Sequence, residues 1–265
     1  MRTILLIGAG GGMGAACVRS FLQNGDVVFG MDRPGAVLPE GVFPLFADVT
    51  DAEQINTAFR AVKAQIESLD AIVYAAGVYE ADSLVEIDEA RIHRIFEINV
   101  FGAYRTVRTF LPLLNRGARV VIVTSELADI DPLPFTGLYG ITKCTLDRYA
   151  FSLAMELQLL GICVSVVRPG AVQTPLLNGS VESISAFTAR TTHYPSVASA
   201  FLRVTDAVEA KAVPPERVAQ KVQKALSSKC PRFVYSLNRN PLLRLYGLLP
   251  KQLKLFAIRS VLKPK

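Results

Sequence analysis

TILLIGAGGGMGAACVRSFLQNGDVVFGMD, residues 3–32, decides how the rest of the chain is read. The apolar run Thr3–Ile7 stops at a cluster of glycines, and Cys17, Val18, Phe21 and Leu22 then follow at the apolar spacing of a helix. A second apolar run, VVFGM, ends at Asp32. Strand, glycine turn and helix in that order suit a pyrophosphate. Glycine lets the backbone approach the phosphates, and a helix N-terminus offers unbonded N–H groups with a partial positive charge. Gly8, Gly12, Met13 and Gly14 are the candidate contacts. The glycines fit three templates: Gly8/Gly12/Gly14 as G-x-x-x-G-x-G, Gly8/Gly11/Gly14 as G-x-x-G-x-x-G, and Gly10/Gly12/Ala15 as G-x-G-x-x-A. The sequence does not choose among them.

Asp32 stands 18 positions after Gly14, where a carboxylate accepts both ribose hydroxyls of NAD and repels a 2′-phosphate. Arg33 beside it argues the other way, because a guanidinium binds such a phosphate, yet the turn itself carries no Lys or Arg. The expected cofactor is NAD, with NADP the alternative.

Outward from this stretch, TILLI, VVFGM, FPLFA, AIVYA, RVVIVT, CVSVV and RFVYS alternate with helical patterns or brief loops. That order predicts an α/β fold, a Rossmann-type doubly wound parallel sheet of about seven strands flanked by helices. Strands covered on both faces read as nearly continuous apolar runs, as these do. Half the chain is hydrophobic (51%) and a fifth charged (20%), enough for one core, so residues 1–265 are expected to form a single NAD(P)-binding domain. Residues 175–213 break the alternation with Ser, Thr and Ala and suggest an excursion over a site. Residues 214–228 resume as a helix with Pro214 and Pro215 at its start.

No apolar run is long enough to span a bilayer and the N-terminus lacks a cleavable leader pattern, so a soluble, cytoplasmic protein is expected. Cys17, Cys144, Cys163 and Cys230 are scattered and cluster with neither His93 nor His193, so no metal site or disulfide scaffold is expected. The net charge of +6 is local: seven basic residues and no acid lie between Ser236 and Lys265, leaving the remainder near neutral. Nucleic acid, which needs a basic face across the fold, is not an expected partner.

Tyr139 and Lys143, in LYGITKCTLDRYAFSLAMEL, are four apart in a long helical pattern and project from one face. An ammonium near a phenol favours the phenolate and brings its titration down toward working pH, which suits proton transfer.

Taken in order, the glycine turn, Asp32, Asp48-Val49 in FADVTD, AAG at 75–77, Asn99 in FEINVFGAY, Ser125 in VVIVTS, Tyr139/Lys143 and RPGAVQTP at 168–175 resemble the short-chain dehydrogenase/reductase family in its single-domain branch. The resemblance covers about residues 3–235. It implies a catalytic set of Asn99, Ser125, Tyr139 and Lys143. Ser125 would hydrogen-bond the substrate oxygen, Tyr139 would transfer the proton, Lys143 would also hold the nicotinamide ribose, and Asn99 would anchor a relay water. It assigns Asp48 and Val49 to the adenine, Ala75, Ala76 and Gly77 to the cofactor floor, and Pro169, Gly170, Val172 and Thr174 to the nicotinamide end. Arg33 beside Asp32 stays a candidate cofactor contact, as the group that would bind a 2′-phosphate. Three features depart from the family pattern. Ile7 replaces a Thr, Tyr74-Ala75 replaces Asn-Asn so that support must come from elsewhere, and the Ser125–Tyr139 interval is one residue longer than the family's commonest, leaving Thr124 and Glu126 as rival neighbours of the substrate.

The expected activity is interconversion of a secondary alcohol and a ketone on a hydrophobic substrate, a hydroxysteroid, bile acid or lipid-like carbonyl. Leu127, Ile130, Leu133, Phe135, Leu138, Leu176, Leu177 and Phe187 supply an apolar wall, with Ser125, Leu127, Phe135, Tyr139 and Leu176 the candidate substrate contacts. The alternatives are a non-enzymatic NAD(H)-binding regulator and a peripheral membrane-associated reductase of lipids. Asp129 and Asp131 form an acidic loop expected to be solvated. The basic apolar tail, 239–265, reads as two short helices broken at 247–250, either docking at a membrane surface or packing on the body or a second subunit. A homodimer or homotetramer is expected.

Overall fold

The computed structural model describes residues 1–209 and 212–262, with Ser199 and residues 204–209 described by backbone alone. Its elements are β1 (Thr3–Ile7), α1 (Gly12–Gln23), β2 (Val27–Asp32), β3 (Phe43–Phe46), α2 (Ala52–Lys63), β4 (Leu69–Tyr74), α3 (Glu89–Phe96), α4 (Gly102–Phe110), β5 (Leu114–Val123), α5 (Gly137–Leu157), β6 (Cys163–Pro169), α6 (Pro175–Arg190), α7 (Pro195–Glu209), α8 (Glu216–Ser227), β7 (Val234–Leu237), α9 (Pro241–Leu248) and α10 (Lys251–Val261). A π-helical turn, Glu97–Phe101, joins α3 to α4.

The seven strands are parallel in the order β3-β2-β1-β4-β5-β6-β7, the doubly wound arrangement expected of the sequence. Strand order reverses between β1 and β4, and the crevice at such a switch point is where open α/β sheets bind ligands. Register sharpens the location. Ile7 pairs with Met31 on one side and Tyr74 on the other, so Gly8, Asp32 and Ala75 leave the sheet at one level.

Successive strand residues point to opposite faces, and both faces are covered. Leu5, Ile7, Phe29, Met31, Ile72 and Ile122 pack with α2, α4 and α5, whereas Ile4, Leu6, Val28, Val73, Val121 and Val167 pack with α1 and α8. Double coverage is the reason these strands lack a polar alternation.

The excursion after β6 is helical, which its composition concealed. Only a few apolar residues hold α6 and α7 down: Ile184, Phe187, Ala198 and Phe201 join Ala81, Phe135 and Leu262 in a separate cluster. Polar staples complete the attachment. Asp82 pairs with Arg91 and Arg190, and Glu86 accepts from Thr191 Oγ1, Thr192 and His193. The hydrogen bond from Thr191, with those from Thr192 and His193, holds the Glu86 carboxyl down at about 2. The tail forms the two expected helices, split at Leu249-Pro250. Residues 210–211 of the excursion and 263–265 of the tail, Lys263 and Lys265 included, lie outside the described residues.

Candidate active site

Gly8 takes φ +84°, and a Cβ there would stand 2.6 Å from the amide nitrogen of Ala76. A Cβ at Gly14 would overlap the carbonyl oxygen of Gly8, and one at Gly12 would lie 2.7 Å from Thr174 Cγ2. Gly11 has room, its nearest neighbour being 3.4 Å away. Gly10 is also tight, a Cβ there standing 2.8 Å from the Val37 carbonyl oxygen, so Gly8, Gly10, Gly12 and Gly14 are the crowded positions; G-x-x-x-G-x-G, opened by the left-handed turn of Gly8 directly after β1, has every glycine among them. α1 begins at Gly12 with no capping side chain and no charge in its first turn. Bare N–H groups and a surface stripped of side chains fit a diphosphate.

Around this turn the strand ends bring together the other expected contacts. Asp32 Oδ2 accepts from Gly10 N at 2.8 Å and Oδ1 from Arg33 N at 2.8 Å, fixing the carboxylate at the edge of the turn, while Arg33 is exposed. Asp48 Oδ1 accepts from both Thr50 N and its hydroxyl, and Val49 packs beneath it against Gly102.

A cavity of about 230 Å³ opens beyond the carboxyl ends of β4, β5 and β6. Met13, Ala75, Gly77, Ser125, Leu127, Tyr139, Lys143, Pro169, Gly170, Val172, Thr174 and Leu176 line it, all named from sequence. Ala76 lies against Gly8. Phe135 is not on the wall: with φ 62° it turns into the aromatic cluster behind, its ring 4.6 Å from Phe187 and 5.2 Å from Phe201. Ile130, Leu138 and Phe187 are likewise buried in packing instead of lining. Leu133 and Leu177, also named from sequence, line it too, and Tyr79, Val123, Thr124, Glu126, Thr136, Ala171, Ser180, Phe201 and Leu243 complete the lining.

Ser125 follows β5 and caps a 3₁₀ turn, Glu126–Asp129, its Oγ accepting from Leu127 N at 3.2 Å. The same hydroxyl faces the Tyr139 phenol and favours its ionised form. The long interval between the two is absorbed by the 3₁₀ turn and the Phe135 kink. Thr124 also lines the cavity, but its hydroxyl is engaged by Asp147 and the Val167 carbonyl.

Tyr139 and Lys143 share the inner face of α5, with Lys143 Nζ 5.7 Å from the phenol ring centre. Burial pushes the phenol up to about 12, against the Ser125 hydrogen bond, and pushes Lys143 down to about 8. The expected lowering of the phenol by the ammonium is thus not what the protein's own groups produce: desolvation dominates, and the influence opposing it comes from Ser125. Tyr79 packs against Tyr139 with ring centres 4.8 Å apart and the rings tilted 46° to each other.

Asn99 sits in the π turn, fully buried. Its Oδ1 accepts from Val78 N at 2.8 Å, and its Nδ2 donates to Val78 O and Thr142 Oγ1, each at 3.0 Å. A Cβ on Gly77 would meet Lys143 Nζ at 3.1 Å and Asn99 Oδ1 at 3.2 Å, which shows how closely the two converge. The support missing at Tyr74-Ala75 comes from Tyr74 itself. Its hydroxyl, wholly buried, donates to Ile98 O at 2.7 Å, tethering the π turn one residue from Asn99. Tyr74→Phe is expected to leave that carbonyl unpaired at a cost of about 1–3 kcal/mol in denaturant unfolding, with activity falling further than stability alone explains.

Asp129 and Asp131 are not merely solvated. Asp129 pairs with Arg168 (3.0 Å) and Arg239 (2.7 Å), Asp131 with Lys254 (2.8 Å), and Glu126 Oε2 accepts from Asn240 N at 2.7 Å. Burial raises the Glu126 carboxyl, opposed by Asn240 and Arg239. These contacts strap the tail to the loop beside Ser125.

The model of one protein family, described as short chain dehydrogenase, matches residues 2–184. A 1-hydroxy-2-glutathionyl-2-methyl-3-butene dehydrogenase of Rhodococcus sp. (strain AD45) is 31% identical over 186 residues, 66% of this chain and 80% of that protein. A 3-ketodihydrosphingosine reductase of Bacteroides thetaiotaomicron is 23% identical, covering 87% of this chain and 85% of its own. The crystal structure of a short chain dehydrogenase from Burkholderia cenocepacia in complex with NADP has a TM-score of 0.73 at 19% identity, over 100% of this chain and 98% of that one.

Proposed function

Since this chain belongs to the short chain dehydrogenase family and is an oxidoreductase of alcohol and ketone groups, we propose that it interconverts a hydrophobic secondary alcohol and its ketone, using NAD. The observation that carries this reading is the convergence of Ser125, Tyr139 and Lys143 on one largely apolar cavity whose rim reaches Met13 and Thr174, beside the glycine turn. NAD, when bound, exchanges a hydride with the substrate carbon. The Ser125 hydroxyl donates to the substrate oxygen, and Tyr139 gives that oxygen a proton in reduction or removes it in oxidation. Lys143, at about 8, can give up or take a proton near neutral pH beside Tyr139. Leu127, Leu133, Leu176, Leu177 and Phe201 exclude water from the reacting groups.

Asp32 supports NAD, because a second anion beside that carboxylate is repelled; the relative solved with NADP is the observation on the other side. Purified protein assayed with NAD and NADP against hydrophobic and small polar secondary alcohols tests the whole reading. A higher kcat/KM with NAD is expected, and Asp32→Ser is expected to shrink the preference by about tenfold or more, the value of one charged contact. Turnover of small polar alcohols alone sinks the hydrophobic substrate; NAD binding with no turnover on any substrate favours a regulator. Phe101 and Tyr104, and Phe151 and Met155 on α5, are exposed and support pairing with a second copy.

A further inference from the structure

The outer face of α9 and α10 carries apolar side chains that the fold leaves uncovered. Leu242, Leu245 and Leu248 recur every third residue along α9, and Leu253 and Phe256 do so along α10. With Leu255 these six are 52–82% exposed. They are not stray core residues, because the inner side of the same segment is already engaged. Leu243 lines the cavity, Leu262 packs into the cluster with Phe201, and Lys254 is buried, donating to Asp131 at 2.8 Å and to Gly247 O at 3.0 Å. Together with Arg239–Asp129 and Asn240–Glu126, these contacts mount the two helices rigidly with their leucines outward.

Charge decides what covers this face. Arg244, Lys251 and Arg259 are exposed among the leucines, and no Asp or Glu follows Glu216 in the chain. A second copy paired through the same patch sets like charge against like. An anionic bilayer surface satisfies both components: leucines and Phe256 enter the boundary between headgroups and acyl chains, and the basic groups meet the phosphates. No helix among the described residues is long and apolar enough to cross a membrane, so the contact is with the surface.

We propose that α9 and α10 dock this protein on the surface of an anionic phospholipid bilayer. Leu243, on α9, places the docked face next to the cavity. An apolar substrate gives the docking a use, but the docking rests on the tail surface alone and is tested without substrate.

The full chain is sedimented with vesicles of phosphatidylcholine alone and of phosphatidylcholine mixed with phosphatidylglycerol, while its oligomeric size is measured in the absence of lipid. Binding to the anionic vesicles is expected, at least about tenfold tighter than to the neutral ones and weakened by salt. Leu245→Glu/Phe256→Glu is expected to abolish binding, and Arg244→Gln/Arg259→Gln to weaken it on the order of tenfold. Both variants change only exposed side chains, so the wild-type melting temperature and turnover of a water-soluble alcohol are expected to persist. Failure of wild type to bind anionic vesicles overturns the proposal. So does an oligomer that dissociates in Leu245→Glu/Phe256→Glu with no vesicle binding by either protein, because a second copy is then the occupant.

Discussion

Tyr139→Phe is expected to lower kcat/KM by about a hundred- to ten-thousandfold, the contribution of a positioned proton donor or acceptor. The ring remains, so its tilted contact with Tyr79 and its seat in the pocket wall survive. Only the hydroxyl that meets Ser125 is lost, at a stability cost of about 1 kcal/mol. Cofactor binding, followed by fluorescence titration, is expected to persist, which separates a chemical loss from a folding one. Activity equal to wild type in a folded Tyr139→Phe protein overturns the assignment of the acid/base group.

The second large effect concerns stability. Asp147 on α5 is buried, its carboxylate held by both arms of the Arg168 guanidinium at 2.9 and 2.7 Å and by Thr124 Oγ1 at 3.2 Å. Arg168 in turn reaches Asp129, and Asp129 reaches Arg239, so a line of alternating charge runs from α5 through the end of β6 to the tail. Arg168→Ala leaves an anion in the interior with one hydroxyl for company, and truncating one member of such a pair costs about 3–5 kcal/mol. Denaturant unfolding should show that loss, with Tm falling by on the order of 10 °C. Arg168→Lys keeps the charge but not the two-pronged geometry and is expected to lie between the two. A melting curve for Arg168→Ala superimposed on wild type refutes the account.

The sheet was legible because strands buried on both faces leave unbroken apolar runs, and the glycine turn because its place between β1 and α1 has a physical purpose. Which glycines matter was not legible, since the decisive contacts, Gly14 on Gly8 and Gly12 on Thr174, include one across more than 160 residues of chain. The Tyr139/Lys143 spacing was visible directly, whereas Ser125 and Asn99 read alone are a strand cap and a helix polar group. Their roles rested on a family resemblance. Phe135, an apolar residue in a loop beside the site, has the sequence of a lining residue, but a positive φ turns it away. α6 and α7 were hidden by Ser, Thr and Ala that dilute the apolar period. The partners of Asp129 lie 39 and 110 residues downstream and that of Asp131 lies 123, beyond the reach of any local pattern. Tyr79 carries no motif; only the packed structure places its ring on Tyr139.

The π turn at Glu97–Phe101 puts a constraint on length as well as identity. Such a turn is one surplus residue held inside a helix, and both flanks are anchored: Ile95 against the Leu138–Tyr139 pair, Ala103, Val107 and Phe110 against the sheet. A single-residue deletion there restores an ordinary helix but swings one flank by about 100° relative to the other, carrying Asn99 off its Val78 and Thr142 partners. For anyone recombining this segment with a relative's, the reading frame of the helix matters more than the letters in it: many substitutions are tolerable, and a clean three-nucleotide gap is not.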